Sequence, residues 1–163
     1  MARRRTRIHR PRRRPRRLHP PPPRPRHRPR LAPGGGTVNR APFEYALIRV
    51  IPRLERGERL NAGVILYCQT CDYLAARCYL DTDRLHALDP DADLPGIRRA
   101  LRTIEGVCAA ERTAGPAAGQ DPGRRFRWLT APRSTVVQPG PVHTGLTADP
   151  DAELRRLLDL LVR

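Results

Sequence analysis

The chain has 163 residues, 19 prolines and a formal net charge of +16, and all 32 of its Lys and Arg residues are arginine. This length is sufficient for one domain with a buried core. No stretch has the roughly 18 consecutive apolar residues that a membrane span needs, and the N-terminus lacks the apolar segment of a secretory signal. We therefore expect a cytoplasmic protein that does not insert into a membrane and whose four cysteines are reduced.

The positive charge is concentrated in residues 1–40, which we call the basic tail. The tail holds 15 arginines, nine prolines and no acidic residue, whereas residues 41–163 hold 17 arginines against 16 acidic residues. A segment with so few apolar residues cannot offset the entropy lost on folding. The composition therefore predicts a disordered Arg/Pro-rich tail followed by a single, almost neutral domain over residues 41–163.

The basic tail has three interpretations. We favour a mis-called start: the codons of three glycines, Gly34 to Gly36, resemble a ribosome-binding sequence, and Val38 stands where GUG would be an alternative bacterial start. Natural translation would then begin at or near Val38. In the second interpretation the arginines bind phosphate backbones non-specifically through release of counterions, without Phe, Tyr or Trp to stack on bases. In the third, the tail has no role.

Three strands open the predicted domain. The segments Phe43–Pro52, Leu60–Cys68 and Tyr73–Leu80 are rich in β-branched and aromatic residues, which favours extended structure. The short connection Gln69–Asp72 predicts a hairpin between the second and third strands, with Cys71 near the tip of a four-residue loop.

Aspartates mark the starts of three predicted helices. Asp81 and Asp93 are N-caps of a short and a longer helix, and Asp149 with Pro150 begins the C-terminal helix. Apolar residues at helical spacing predict the buried side of the longer helix (Ile97, Leu101, Ile104, Cys108) and of the last one (Leu154, Leu157, Leu158, Leu161). Between these two helices we expect a loop over residues 112–124 and then an extended segment, with four core candidates: Phe126, Trp128, Val136 and Val137.

This order of elements predicts an α+β fold. We expect an antiparallel sheet, made of a three-stranded meander plus one or more later strands, packed against helices on one face. The segments "YALIRVIPR", "LNAGVILYC", "RLHALDP", "RFRWLTAPRSTVVQ" and "VHTGL" together resemble the bacterial domain-of-unknown-function family 3037, from about Phe43 to Val162. The basic tail lies outside the resemblance. The family is uncharacterised, but its genes often lie beside one for a HipA-like kinase, so the resemblance implies such a kinase as a partner.

Two polar clusters are candidate ligand-binding sites. The first is the segment between the first two strands, where loops on a rigid scaffold often carry sites; its candidates are Glu55, Arg56, Glu58 and Asn61. Its two carboxylates could bind a cation or act as acid and base, but we favour a solvated loop of compensating charges. The second cluster could bind an anion through guanidinium and hydroxyl donors; its candidates are Arg125, Arg133, Ser134, His143 and Thr144. The alternative, which we favour, is that these side chains stabilise turns.

Catalytic and metal motifs have little support. Ser134 has no G-x-S-x-G elbow, and Cys68 and Cys71 form a lone C-x-x-C, a weak zinc signal. No Walker loop, G-x-G-x-x-G or H-E-x-x-H occurs, so we predict neither a metal nor a cofactor. The leading hypothesis is an accessory or binding module that acts with a protein partner. The alternatives are nucleic-acid binding through the basic tail, and an enzyme that uses His143 with Ser134 or the Glu55 and Glu58 pair.

Overall fold

The computed structural model describes residues 39–163, and every structural statement below concerns this part of the chain. The predictions about the basic tail, including the start near Val38, lie outside the described residues.

Within residues 39–163, four strands form one antiparallel sheet. They are β1 (Ala41–Val50), β2 (Leu60–Cys68), β3 (Tyr73–Cys78) and β4 (Val137–Thr147), in the spatial order β3-β2-β1-β4. The first three are the predicted meander, although β3 ends two residues earlier than expected. The last strand returns to pair with β1, and the predicted α+β fold with an antiparallel sheet is confirmed.

Helices begin where the sequence places a capping aspartate. The helices are α1 (Thr82–Leu88), α2 (Leu94–Cys108), α3 (Pro122–Thr130) and α4 (Pro150–Leu161). The carboxylates of Asp81, Asp93 and Asp149 accept hydrogen bonds from backbone N–H groups in the first turns of α1, α2 and α4, as predicted. Two short 3-10 turns, Arg112–Ala114 and Pro116–Gly119, lie in the predicted loop before α3.

The helices cover both faces of the sheet, so the prediction of one covered face is wrong. Alternate residues of β2 show this: Ile65 packs in a core with residues of α1, α2 and α3, whereas its neighbours Val64 and Leu66 pack with residues of α4. Successive side chains of a strand point to opposite faces. Because β2 is apolar on both sides, it needs a layer of helices on each.

Helix α4 covers only half of its face. Its main contacts are with β2 and β3, although Phe43 of β1 is buried in the same core, so among the described residues the half of this face formed by β1 and β4 is only partly covered. We call this half the open face. Tyr45 and Leu47 of β1 lie there, only partly buried.

The segment predicted as extended around Phe126 is instead a helix. Asp121 caps α3 by accepting a hydrogen bond from the Arg124 N–H at 2.9 Å, and Pro122 is its first residue. A strand would put Phe126 and Trp128 on the same side, but two residues of helix turn through about 200°. Phe126 is accordingly buried while Trp128 is 50% exposed, so Trp128 is wrong as a core candidate. Val136 is also exposed, and Val137 is partly buried.

Candidate functional site

The first predicted cluster lies in the loop between β1 and β2. Glu55, Arg56 and Glu58 are all exposed there. Arg56 donates a hydrogen bond from Nη2 to Glu58 Oε1 at 2.7 Å. One of the two candidate carboxylates is thus paired within its own loop, as in the interpretation of mutually compensating charges.

Asn61, assigned by sequence to the same cluster, has a different role in the structure. It lies on β2, and its Nδ2 donates a hydrogen bond to the carbonyl oxygen of Leu161 at 2.9 Å. This oxygen belongs to the last turn of α4, where carbonyls have no partner within the helix. Asn61 therefore fastens the end of α4 to the sheet.

Two arginines of the second cluster bind the ends of helices. Arg125 is buried, and its Nη1 donates hydrogen bonds to the carbonyl oxygens of Val107 and Cys108 at 3.1 and 2.9 Å. These carbonyls end α2. Arg133 donates in the same way to the Leu129 carbonyl at the end of α3, and its guanidinium lies 5.1 Å from the centre of the Trp128 ring. Both guanidinium groups thus satisfy carbonyls that a helix leaves free.

His143 and Thr144 lie on β4 and point to opposite faces of the sheet. His143 pairs with Tyr45, and their rings are 5.2 Å apart on the open face. Thr144 pairs with Glu44, whose carboxylate accepts two hydrogen bonds of 2.8 Å from Arg127 of α3. The exposed Ser134 lies in the connection before β4 and forms no hydrogen bond with His143. The predicted residues therefore lie on both faces of the sheet and do not converge in one cleft.

The four cysteines divide between the two cores. Cys68 is buried on the α4 side and Cys71 is exposed in the β2–β3 loop, whereas Cys78 and Cys108 pack on the other side of the sheet. Burial raises the pKa of the Cys108 thiol to about 12, which disfavours the reactive thiolate. Over residues 39–163, no three His, Cys, Asp or Glu side chains are close enough together to hold a metal ion.

The surface that the sequence analysis missed is the outer edge of β4. This strand has 11 residues and pairs with β1 alone, since it is the last strand in the sheet order. Val142 and Leu146 point to the same face as Thr144 and are 39% and 62% exposed. Two prolines, Pro139 and Pro141, fall in the first part of β4, so residues 142–147 are a continuous proline-free edge. We call these six residues the β4 edge.

The sequence carried one signal for the β4 edge. "VHTGLT" alternates apolar and polar residues, which indicates a strand, but an edge position depends on the strand order. That order is set by pairing with β1, about 100 residues earlier in the chain.

None of the helices in residues 39–163 is long and apolar enough to cross a membrane.

Comparison with known proteins identifies a family without an assigned activity. No curated protein and no solved structure matches the chain. The model of a family described as "Protein of unknown function (DUF3037)" matches residues 45–162. The match runs from β1 to the end of α4 and confirms the resemblance that the sequence showed. The chain therefore belongs to the DUF3037 family.

Proposed function

We propose that the domain is a binding module whose protein partner adds an extended segment to the β4 edge. The observation that supports this most is an edge strand of 11 residues with exposed apolar side chains. An unpaired edge presents a row of N–H and C=O groups that can form a ladder with another chain. In such complexes the backbone supplies affinity and alternate side chains supply specificity.

The two edges of the sheet differ in a way that supports this choice. β3, at the opposite edge, has only six residues and packs against both α2 and α4. Proteins commonly protect edge strands by making them short, by covering them or by placing proline in them. On β4 the prolines protect only the first part, and the β4 edge is left with Leu146 and Val142 exposed.

The open face borders the β4 edge on the other side of the sheet from Val142 and Leu146. Tyr45 and Leu47 are partly buried, and His143 is exposed beside them. A partner that pairs with the β4 edge and then turns over this face would cover these three side chains. The apolar area that such a partner removes from water would add to the affinity of the backbone ladder.

A HipA-like kinase, the partner that the family resemblance implies, is the first protein to test. Calorimetric titration of a HipA-like kinase from the same organism should give a saturable interaction with the full chain. Leu146→Lys places a charge on the β4 edge and should weaken binding at least tenfold, in the range of residues central to an interface. Leu160→Lys is the matched control, because Leu160 is 66% exposed but lies on α4.

The two variants separate the possible results. If Leu146→Lys weakens binding and Leu160→Lys does not, the β4 edge is the contact surface. Equal affinity of both variants and the unmodified chain would show that the partner binds elsewhere. A failure of the kinase to bind the unmodified chain would remove it as the partner.

Non-specific nucleic-acid binding is a second candidate, favoured by the 15 arginines of the basic tail. Binding of a random-sequence DNA duplex, followed by fluorescence anisotropy, should then weaken steeply with salt. It should also be lost when residues 1–40 are deleted. Binding that survives this deletion would place the contact on the nearly neutral domain and would contradict this second candidate.

A further inference from the structure

An apolar groove of about 480 Å³ lies where β1 ends and β4 begins, against the start of α2. Its apolar lining comes from three separate parts of the chain: Pro52 after β1, Ala92, Ile97 and Ala100 from α2 and the loop before it, and Val136 and Val137 at β4. This volume falls in the range of cavities that hold a small ligand or a bound side chain, roughly 300 to 1,000 Å³. None of the candidate residues of the two predicted clusters lines the groove, although Pro52 and Val136 are close to them in sequence.

Three aspartates, Asp89, Asp91 and Asp93, form the polar part of the groove together with Thr135, and no arginine lines it. The Thr135 hydroxyl already donates to the Val137 carbonyl oxygen at 2.7 Å. Asp89 is already paired, because Arg53 donates a hydrogen bond to its Oδ1 at 2.9 Å. Asp93 uses one oxygen, Oδ1, to cap α2 at the Gly96 N–H. The side chain of Asp91 is exposed and forms no hydrogen bond with the described residues. One oxygen of Asp93 and both oxygens of Asp91 thus remain to accept from a ligand.

Gly96 brings the free oxygen of Asp93 close to the groove wall. A Cβ added at Gly96 would lie 2.1 Å from Oδ2 of Asp93, a distance that no packed side chain permits. The missing side chain therefore lets the carboxylate fold against the first turn of α2, beside the apolar residue Ile97. An acidic group and an apolar wall meet at this point.

We propose that the groove binds an arginine side chain on an extended segment of another protein. The methylene groups of arginine would lie along Ile97, Ala100 and Val136, while the guanidinium donates to Asp91 and Asp93. Arginine has this combination of an apolar stem and a planar donor group suited to carboxylates. Charge complementarity selects this occupant, because carboxylates repel an anionic ligand and a purely apolar one would leave them unpaired. The proposal does not depend on a strand at the β4 edge.

The proposal can be tested by NMR titration of the full ¹⁵N-labelled chain with two blocked tripeptides, acetyl-Leu-Arg-Leu-amide and its citrulline counterpart. Citrulline has nearly the shape of arginine without its charge. We expect saturable shifts of the Ile97, Ala100 and Val136 amides with the arginine peptide, and binding of the citrulline peptide weaker by about fivefold or more. Equal binding of the two peptides, or no saturable shift at these amides, would overturn the proposal.

A double variant, Asp91→Asn with Asp93→Asn, removes the two available charges while keeping the fold. Asparagine caps a helix about as well as aspartate, so α2 should still begin at Leu94. The arginine peptide should then bind no more tightly than the citrulline peptide. Asp81→Asn, at the cap of α1, is the matched control and should leave the preference for arginine intact. A preference that persists in the double variant would show that these carboxylates do not select the ligand.

Discussion

Binding an anion and binding the end of a helix are two uses of arginine that the sequence alone does not distinguish. Arg125 and Arg133 were predicted as anion-binding candidates, yet in the structure they donate to the last carbonyls of α2 and α3. Carbonyl oxygens at a helix end and the oxygens of an anion are both good acceptors for a guanidinium group. A sequence pattern that predicts an extended segment in place of α3 gives no helix end for Arg133 to bind.

We expect Arg125→Met to destabilise the domain by about 2 kcal/mol. The substitution keeps an apolar stem of similar length but leaves the buried carbonyls of Val107 and Cys108 without their charged donor, and hydrogen bonds to charged groups are worth about 1.5 to 3 kcal/mol. Urea unfolding measures this loss. Arg124→Met, on the exposed side of the same helix, should change stability by less than about 0.5 kcal/mol; equal losses in the two variants would contradict the assigned role of Arg125.

The ion pair between Arg53 and Asp89 should make stability depend on pH at the acidic end. The hydrogen bond from Arg53 lowers the pKa of the Asp89 carboxyl below its ordinary value. A lowered pKa stabilises the fold above the ordinary carboxyl pKa of about 4, and this contribution is lost as the pH falls through the lowered value. The difference in stability between the unmodified chain and Arg53→Met should therefore be constant from about pH 5 to pH 7 and shrink below about pH 4. A difference that grows on acidification would refute this assignment.

At the scale of elements, local chemistry was sufficient to predict three helices from their capping aspartates and three strands from their β-branched and aromatic residues. The caps of α1, α2 and α4 and the three strands of the meander were predicted in this way. In α3 the start signal Asp121–Pro122 is the same as Asp149–Pro150 of α4. It was missed because the prolines and glycines before it indicated a loop, and because Phe126 and Trp128 fit the two-residue period of a strand.

Two truncations distinguish a helix from a strand at α3. Phe126→Ala should destabilise the domain by about 3 to 5 kcal/mol, because it removes a buried aromatic ring and leaves a cavity. Trp128→Ala should cost much less, since this ring is half exposed and packs against Arg133. Thermal or urea unfolding gives both values. A strand would place both rings in the core, so similar large losses would contradict the helix.

At the scale of the whole molecule, the surfaces that we propose for binding depend on long-range pairing. The strand order β3-β2-β1-β4 makes β4 an edge, and no local pattern in "VHTGLT" indicates which strand lies beside it. The position of α4 on the second face likewise follows from β2 being apolar on both sides. The groove brings together three segments of the chain that are apart in sequence. Composition alone, by contrast, gives the near neutrality of residues 41–163, with 17 arginines against 16 acidic residues.

Amide hydrogen exchange of the full chain, with and without the HipA-like kinase, tests the proposed docking surface most directly. In the free protein, outward-facing amides of residues 142–147 should exchange quickly, because an edge strand leaves them open to water. In the complex these amides should become protected by the added strand, while those of α4 remain unchanged. Protection confined to other parts of the domain, with residues 142–147 exchanging as fast as before, would contradict the account.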